Sequence, residues 1–351
     1  MSSENENKAL INEIIELLNN PDFESPEVIL LLGSSGAGKS SLVNTLYGVL
    51  TGRYYAIAKQ GSGETQSVTL DLLRYENCGV KLHRITDKNK RQKMSAVLSK
   101  LPHILDCAGL GDENTPEMRE IIELLVGGYI RPGTCMDAVV QEQTRRGTGN
   151  MKEMFKPQPA WKVSKIVFLQ GCIDVIPGNM IQGLNEVLMM YDPVTLVRKY
   201  PCQVFVLVTK YDLVKESDVH SVSTSEGKFI NNEKFEQKKQ EIAKAFCSVG
   251  STKYNMLPWI NLTDDVEFTE STIPTKALKF LKKIVEPGTP KMPAPTFREK
   301  LEDFVYQMYH EIRRESLHQI HQHNVSFVQI VGFFMVVFLG IIWLLRRDPE
   351  I

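Results

Sequence analysis

What this chain has little of narrows it first. Net charge is nearly absent: Lys and Arg number 41 against 42 Asp and Glu, a formal charge of −1. No basic field exists to attract a nucleic acid, and none is expected as a partner. Cysteine is sparse and scattered. Cys78, Cys107, Cys135, Cys172, Cys202 and Cys247 show no CxxC spacing and no matching His ladder. That speaks against a zinc or disulfide framework and predicts reduced thiols in a reducing compartment. A secretory leader is missing as well. MSSENENKALINEII is acidic and polar where a leader carries basic residues and then an apolar core, so the bulk of the chain is expected in the cytosol. No internal repeat is present.

Material for a core is plentiful. With 351 residues, 42% of them hydrophobic, the chain can hold one large domain or two ordinary ones. One long apolar run stands out, Phe327 to Leu345, FVQIVGFFMVVFLGIIWLL, whose only strongly polar member is Gln329. As a helix it would reach about 28 Å, close to the ~30 Å hydrocarbon thickness of a bilayer. It is apolar on all faces and ends at Arg346 and Arg347, so a transmembrane helix is expected over 325–345. With only RRDPEI (346–351) beyond it, the span reads as a tail anchor with residues 1–324 in the cytosol. The Arg pairs on either side give opposing cues and name no organelle.

Leu10, Ile11, Ile14, Ile15, Leu17 and Leu18 recur at helical spacing and predict an amphipathic helix within 1–24, packed on the domain that begins after it. Val28 to Leu32 is apolar at every position, as a parallel strand covered on both faces should be. Similar runs occur at Leu101 to Leu105, Ile166 to Leu169 and Val204 to Val208, with a weaker one at Met256 to Leu262. Ser67 to Tyr75 alternates and predicts an edge strand. Helical patterns cover Ser41 to Leu50, Glu117 to Leu125, Met180 to Tyr191, Glu233 to Phe246 and Lys276 to Val285, with Pro193 expected to end the third.

This alternation predicts an α/β fold, a mostly parallel doubly wound sheet spanning 25–286. Residues 127–162 are rich in Gly and Pro without a dependable period, and read as an insertion. EPGTPKMPAPT marks a Pro-rich linker at 287–296. Phe297, Leu301, Phe304, Met308 and Ile312 then define a helical stalk over 297–324, whose His318, His321 and His323 read as solvated polar residues.

Chemistry concentrates at three places. Gly33-Ser34-Ser35-Gly36-Ala37-Gly38-Lys39-Ser40 matches GxxxxGK followed by Ser, between a predicted strand and a predicted helix. Glycines let successive N–H groups turn inward toward a polyphosphate at the start of the helix, a group that also includes Ser41. Lys39 is expected on the β- and γ-phosphates, and Ser40 on Mg²⁺. Thr209-Lys210-Tyr211-Asp212 follows VFVLV and has the TKxD form used by GTPases. Asp212 can accept from guanine N1–H and the N2 amino group while the Lys210 stem covers the ring; the end of a parallel strand is where ligands bind in such sheets. Asp106-Cys107-Ala108-Gly109, at the end of LPHIL, is expected to hold Mg²⁺ through Asp106 and to meet the γ-phosphate with the Gly109 N–H. Thr65 or Thr69 is expected to complete the metal site, Thr65 being preferred because it precedes the strand, and Thr65 joins Lys39 as a catalytic candidate. Asn261 is a candidate for lining the guanine pocket. Where Ras-like enzymes place a water-orienting Gln after DxxG, this chain has Leu110, which cannot orient water, so slow hydrolysis is expected.

VILLLGSSGAGKSSLVNTL, the TQSVT segment, LPHILDCAGLGD and VFVLVTKYD together resemble the GTP-binding domain of the interferon-induced protein 44 family. The resemblance spans residues 10 to about 285 and implies a P-loop G domain. The expectation is a membrane-tethered GTP/GDP-binding protein, a slow GTPase switch using Mg²⁺, with the G domain or stalk available to a protein partner or a second copy. A scaffold with a structural nucleotide site and an ATP-using P-loop enzyme remain alternatives.

Overall fold

A six-stranded sheet organises the computed structural model, which describes residues 3–21, 26–59, 71–192, 195, 197–210, 232–246, 255–262 and 272–286. These fall within one unit, Met1–Pro287; the second unit, Gly288–Ile351, lies outside the described residues. The expected linker, stalk and membrane span therefore lie outside them too. Among the described residues no helix is long and apolar enough to cross a membrane.

The strands are β1 (Val28–Leu32), β2 (Leu73–Tyr75), β3 (His103–Asp106), β4 (Lys165–Gly171), β5 (Gln203–Thr209) and β6 (Met256–Pro258). Their order is β2-β3-β1-β4-β5-β6. Every pair is parallel except β2 with β3, where Leu73 stands opposite Asp106. The helices are α1 (Ser3–Asn19), α2 (Lys39–Thr51), α3 (Lys88–Ser95), α4 (Pro116–Val126), α5 (Met136–Arg146), α6 (Met151–Met154), α7 (Gly178–Leu188), α8 (Asn232–Ala245) and α9 (Ile273–Val285).

Because side chains alternate along a strand, an all-apolar strand must feed two cores. Val28, Leu30 and Leu32 of β1 join Phe168, Val206, Ile122, Leu184 and Ile242 on the side of α4, α7 and α8. Ile29 and Leu31 join Val167, Phe205, Leu46, Ile14 and Leu281 on the side of α1, α2 and α9. Burial of each such large side chain contributes roughly 1.5–3 kcal/mol. The sheet is thus doubly wound, as its sequence pattern implies.

The expected α1 docks on α9, with Lys279 Nζ 2.8 Å from Glu6, Lys282 Nζ 3.0 Å from Glu13 and the Thr275 hydroxyl 2.7 Å from Asn7 Oδ1. β1 has the predicted bounds. β3 begins two residues later than predicted, after Pro102, whose ring nitrogen cannot donate to a ladder. β6 stops at Pro258, short of the expected Leu262. Of the predicted edge strand, Leu73–Tyr75 is seen, and 67–70 lie outside the described residues.

One expectation needs correction. α7 ends at Leu188, so Pro193 does not terminate it; the chain turns away earlier, the Lys199 N–H donates to the Met190 carbonyl at 2.8 Å, and Tyr191 bridges Arg198. Residues 127–162, read as an insertion, contain α5 and α6, which the sequence pattern does not predict. The buried Glu120 carboxylate of α4 organises them: it accepts from Gln143 Nε2 at 2.7 Å and from the Gly149 and Met151 N–H groups at 3.0 and 3.1 Å. α3, started by Asp87 accepting from the Lys90 N–H at 2.8 Å, lies in a stretch for which the pattern predicts no element.

Candidate functional site

β1 is buried and cannot bend, so the chain turns sharply at Gly33 on leaving the sheet. Gly33 has φ 140°, and a side chain there would collide with the Leu169 carbonyl of β4. The loop returns at Gly38, φ 95°, where a Cβ would sit 2.9 Å from Asn261 Nδ2. Both positions require glycine. Ser34 and Ser35 are half-buried on the outer curve, Gly36 is exposed at its tip, and Ala37 is buried beneath. α2 then begins with no acidic residue in its first turn and no side-chain cap. A helix start of this kind, with its N–H groups and partial positive charge, suits an anion.

Lys39 is only 7% exposed, and its ammonium donates to the Gly33 and Ser34 carbonyls, both at 2.9 Å. Burial pushes its pKa down, opposed by the nearby Asp106 carboxylate. Ser40 Oγ donates to Asp106 Oδ2 at 2.7 Å, joining the loop to the end of β3. Asp106 is fully buried, and burial pushes its carboxyl above the ordinary carboxylate value against the pull of the Ser40 bond and the Lys39 charge. Its other oxygen, Oδ1, is buried with no hydrogen-bond partner. An unpaired buried carboxylate oxygen is costly, and a cation beside Ser40 would remove the cost.

The segment after β3 closes over the loop, Gly109 lying against Ser35. Leu110 packs against the core under α4 and α7. Asp112 Oδ1 accepts from the Asn179 and Met180 N–H groups at 2.8 and 3.0 Å, so it ties this segment to the start of α7.

On the β5 side, the fully buried Thr209 hydroxyl donates to the Ala37 carbonyl at 2.9 Å; it braces the glycine loop from beneath. Lys210 takes the left-handed φ of 64°, and its ammonium is paired with Asp174 at 2.7 Å. Asn261 Oδ1 accepts from Trp259 Nε1 at 2.8 Å and from the Thr45 hydroxyl at 3.3 Å, so this side chain supports α2 beside Gly38. The half-buried Ser41 follows in the first turn of α2, its carbonyl accepting from the Thr45 hydroxyl at 2.8 Å. The structure therefore gathers Gly33 to Ser41, Asp106, Gly109, Thr209 and Asn261 at one end of the sheet. Thr65, Thr69 and Asp212 lie outside the described residues.

Sequence reasoning missed Asp174, Gln170 and Asp112. The one available signal for Asp174 was position, since GCIDV follows a parallel strand at the ligand-binding edge. Among the described residues no three His, Cys, Asp or Glu side chains gather as a metal cluster, so a metal here would rest on one hydroxyl and one carboxylate. That donor set suits Mg²⁺, which keeps waters and takes its remaining ligands from phosphate.

No protein-family model and no curated protein matches the chain. Solved structures of similar outline include a dimerization-deficient mutant of Toc33 from Arabidopsis thaliana, at 11% identity and TM-score 0.38. Toc33 in complex with GDP and Mg²⁺ gives 10% identity and TM-score 0.37. In both cases the match covers 82% of this chain and 94% of the other. At these values neither likeness carries an argument about this chain.

Proposed function

We propose that this chain is a guanine-nucleotide-binding protein of the P-loop G-domain class, a slow GTPase switch that works with Mg²⁺. The observation that carries the proposal is the part-buried contact of Ser40 with Asp106, whose second oxygen is buried with no hydrogen-bond partner. Ser40 and Asp106 are the residues that would hold Mg²⁺, which when bound neutralises charge on the phosphates. The loop N–H groups and the start of α2 would bind the phosphates, and Lys39, now bonded to loop carbonyls, would supply the positive side chain.

The guanine preference rests on Asp212 in the TKYD run that leaves β5. Low turnover rests on Leu110, whose half-buried side chain packs against the core and brings no polar atom to a water. The segments that resemble the interferon-induced protein 44 family support the same reading. We further propose that residues 325–345 anchor the chain in a membrane with the nucleotide domain in the cytosol. That proposal rests on the apolar run alone.

Calorimetric titration of the detergent-solubilised full chain with GTP, GDP and ATP, each with Mg²⁺, tests the proposal. GTP and GDP should bind at least about tenfold more tightly than ATP, Lys39→Ala should abolish binding, and Asp212→Ala should bring GTP and ATP to similar affinity. A chain that ignores guanine nucleotides with Mg²⁺ present would remove the proposal; unchanged selectivity in Asp212→Ala would remove the guanine assignment.

A further inference from the structure

The turn that leaves β4 is held more tightly than its exposed position requires. The buried Gln170 side chain donates to the carbonyls of Gly171, Asp174 and Val175 at 3.0, 3.1 and 3.2 Å. Lys238 of α8 donates to the Asp174 carbonyl at 3.2 Å. The Asp174 carboxylate folds back over Gly171, into space that a Cβ on Gly171 would occupy. The backbone around Asp174 and its side-chain direction are thus both determined by neighbours.

This turn grips Lys210 at two points. Cys172 Sγ donates to the Lys210 carbonyl at 3.2 Å, where the backbone takes a left-handed φ of 64° that non-glycine residues seldom adopt. Asp174 Oδ2 accepts from the Lys210 ammonium at 2.7 Å. The pair is partly exposed, with side chains 27% and 33% accessible, and such pairs add little to stability. Its consequence is geometric. A lysine stem has large rotamer freedom, which a ligand stacking on it must remove; here the freedom is removed before a ligand arrives.

We infer that Asp174 is a positioning residue for base recognition: by anchoring the Lys210 ammonium, it lays the Lys210 stem where the base binds. The inference rests on the proposed guanine specificity and adds to it a residue outside the three sequence motifs. Asp174 acts through Lys210, so it should affect ligands that carry a base and not the phosphates alone.

The test uses the full chain and three probes with Mg²⁺: GTP, GDP and inorganic tripolyphosphate. Asp174→Ala should weaken GTP and GDP by about 2- to 10-fold, the cost of ordering one long side chain, and leave tripolyphosphate unchanged. Gly171→Ala keeps every charge but displaces the flexible end of Asp174, and should reproduce the pattern. In a Lys210→Ala background, Asp174→Ala should add nothing further. Unchanged or tighter GTP binding in both single variants would overturn the inference, as would equal losses on tripolyphosphate or an undiminished loss in the Lys210→Ala background. A wild-type chain that binds tripolyphosphate but shows no added affinity for GTP would instead overturn the guanine specificity, and the inference with it.

Discussion

Gly109 and Ser35 touch backbone to backbone: a Cβ on Gly109 would fall 2.6 Å from the Ser35 amide nitrogen and 2.7 Å from its Cα. Neither neighbour is a flexible side-chain tip, so Gly109→Ala must move the segment after β3 or the glycine loop itself. The variant should lose at least about tenfold in GTP affinity and roughly 1–3 kcal/mol of stability. Calorimetry and urea unfolding measure the two effects; an unchanged Kd would show that these segments do not act together.

Thr209 offers a cleaner perturbation, because its hydroxyl makes one buried bond to the Ala37 carbonyl at 2.9 Å. Thr209→Val keeps the shape and strands that carbonyl, at a cost of about 1–3 kcal/mol in urea unfolding. Thr209→Ser retains the donor and should recover most of the loss. If valine proves as stable as threonine, the bond does not support the loop.

Leu110→Gln places the residue that Ras-like enzymes carry after DxxG into a position packed against the core. Single-turnover phosphate release should rise less than about threefold, while stability falls by roughly 0.5–2 kcal/mol from an amide at this half-buried position. A hundredfold increase would mean that the side chain reaches the nucleotide after all.

Glu123 of α4 predicts a pH effect. Burial alone would raise its carboxyl, but hydrogen bonds from Lys152 at 2.5 Å, Lys199 at 2.9 Å and the Tyr200 hydroxyl at 2.8 Å outweigh it and hold the group below its ordinary value of 4.5. The unfolded chain therefore takes up this proton first as pH falls. The stabilisation is complete above pH 4.5 and is lost as pH falls through the lower folded value. Glu123→Gln should cost about 1–3 kcal/mol at pH 7, and the gap from wild type should narrow below the ordinary carboxylate value. Urea unfolding at pH 7 and at acid pH measures it; a gap that widens in acid would contradict the sign.

Much of the architecture was legible because it is written in short-range pattern. β1 could be bounded from five apolar residues in a row, and α2 from the glycine loop before it and the helical spacing after it. The three motifs also pointed to one end of the sheet, since each follows a parallel strand. α5 was not legible: its sequence is mostly polar, and its place depends on Gln143 reaching Glu120 and the Glu117 carbonyl of α4. The early end of α7 was hidden for a similar reason, as Lys199 supplies the donor that turns the chain at Met190.

Local pattern alone determines the alternation of strands and helices, the two-sided burial of the sheet and the positions of the glycine loop and the TKYD run. Strand order decides the rest. Only when β4 lies between β1 and β5 do Thr209 and Ala37, 172 residues apart, share a hydrogen bond, and only then does Asp174 reach Lys210, 36 residues on. Periodicity records what a residue's near neighbours need, whereas these contacts depend on which distant segments the folded sheet sets side by side.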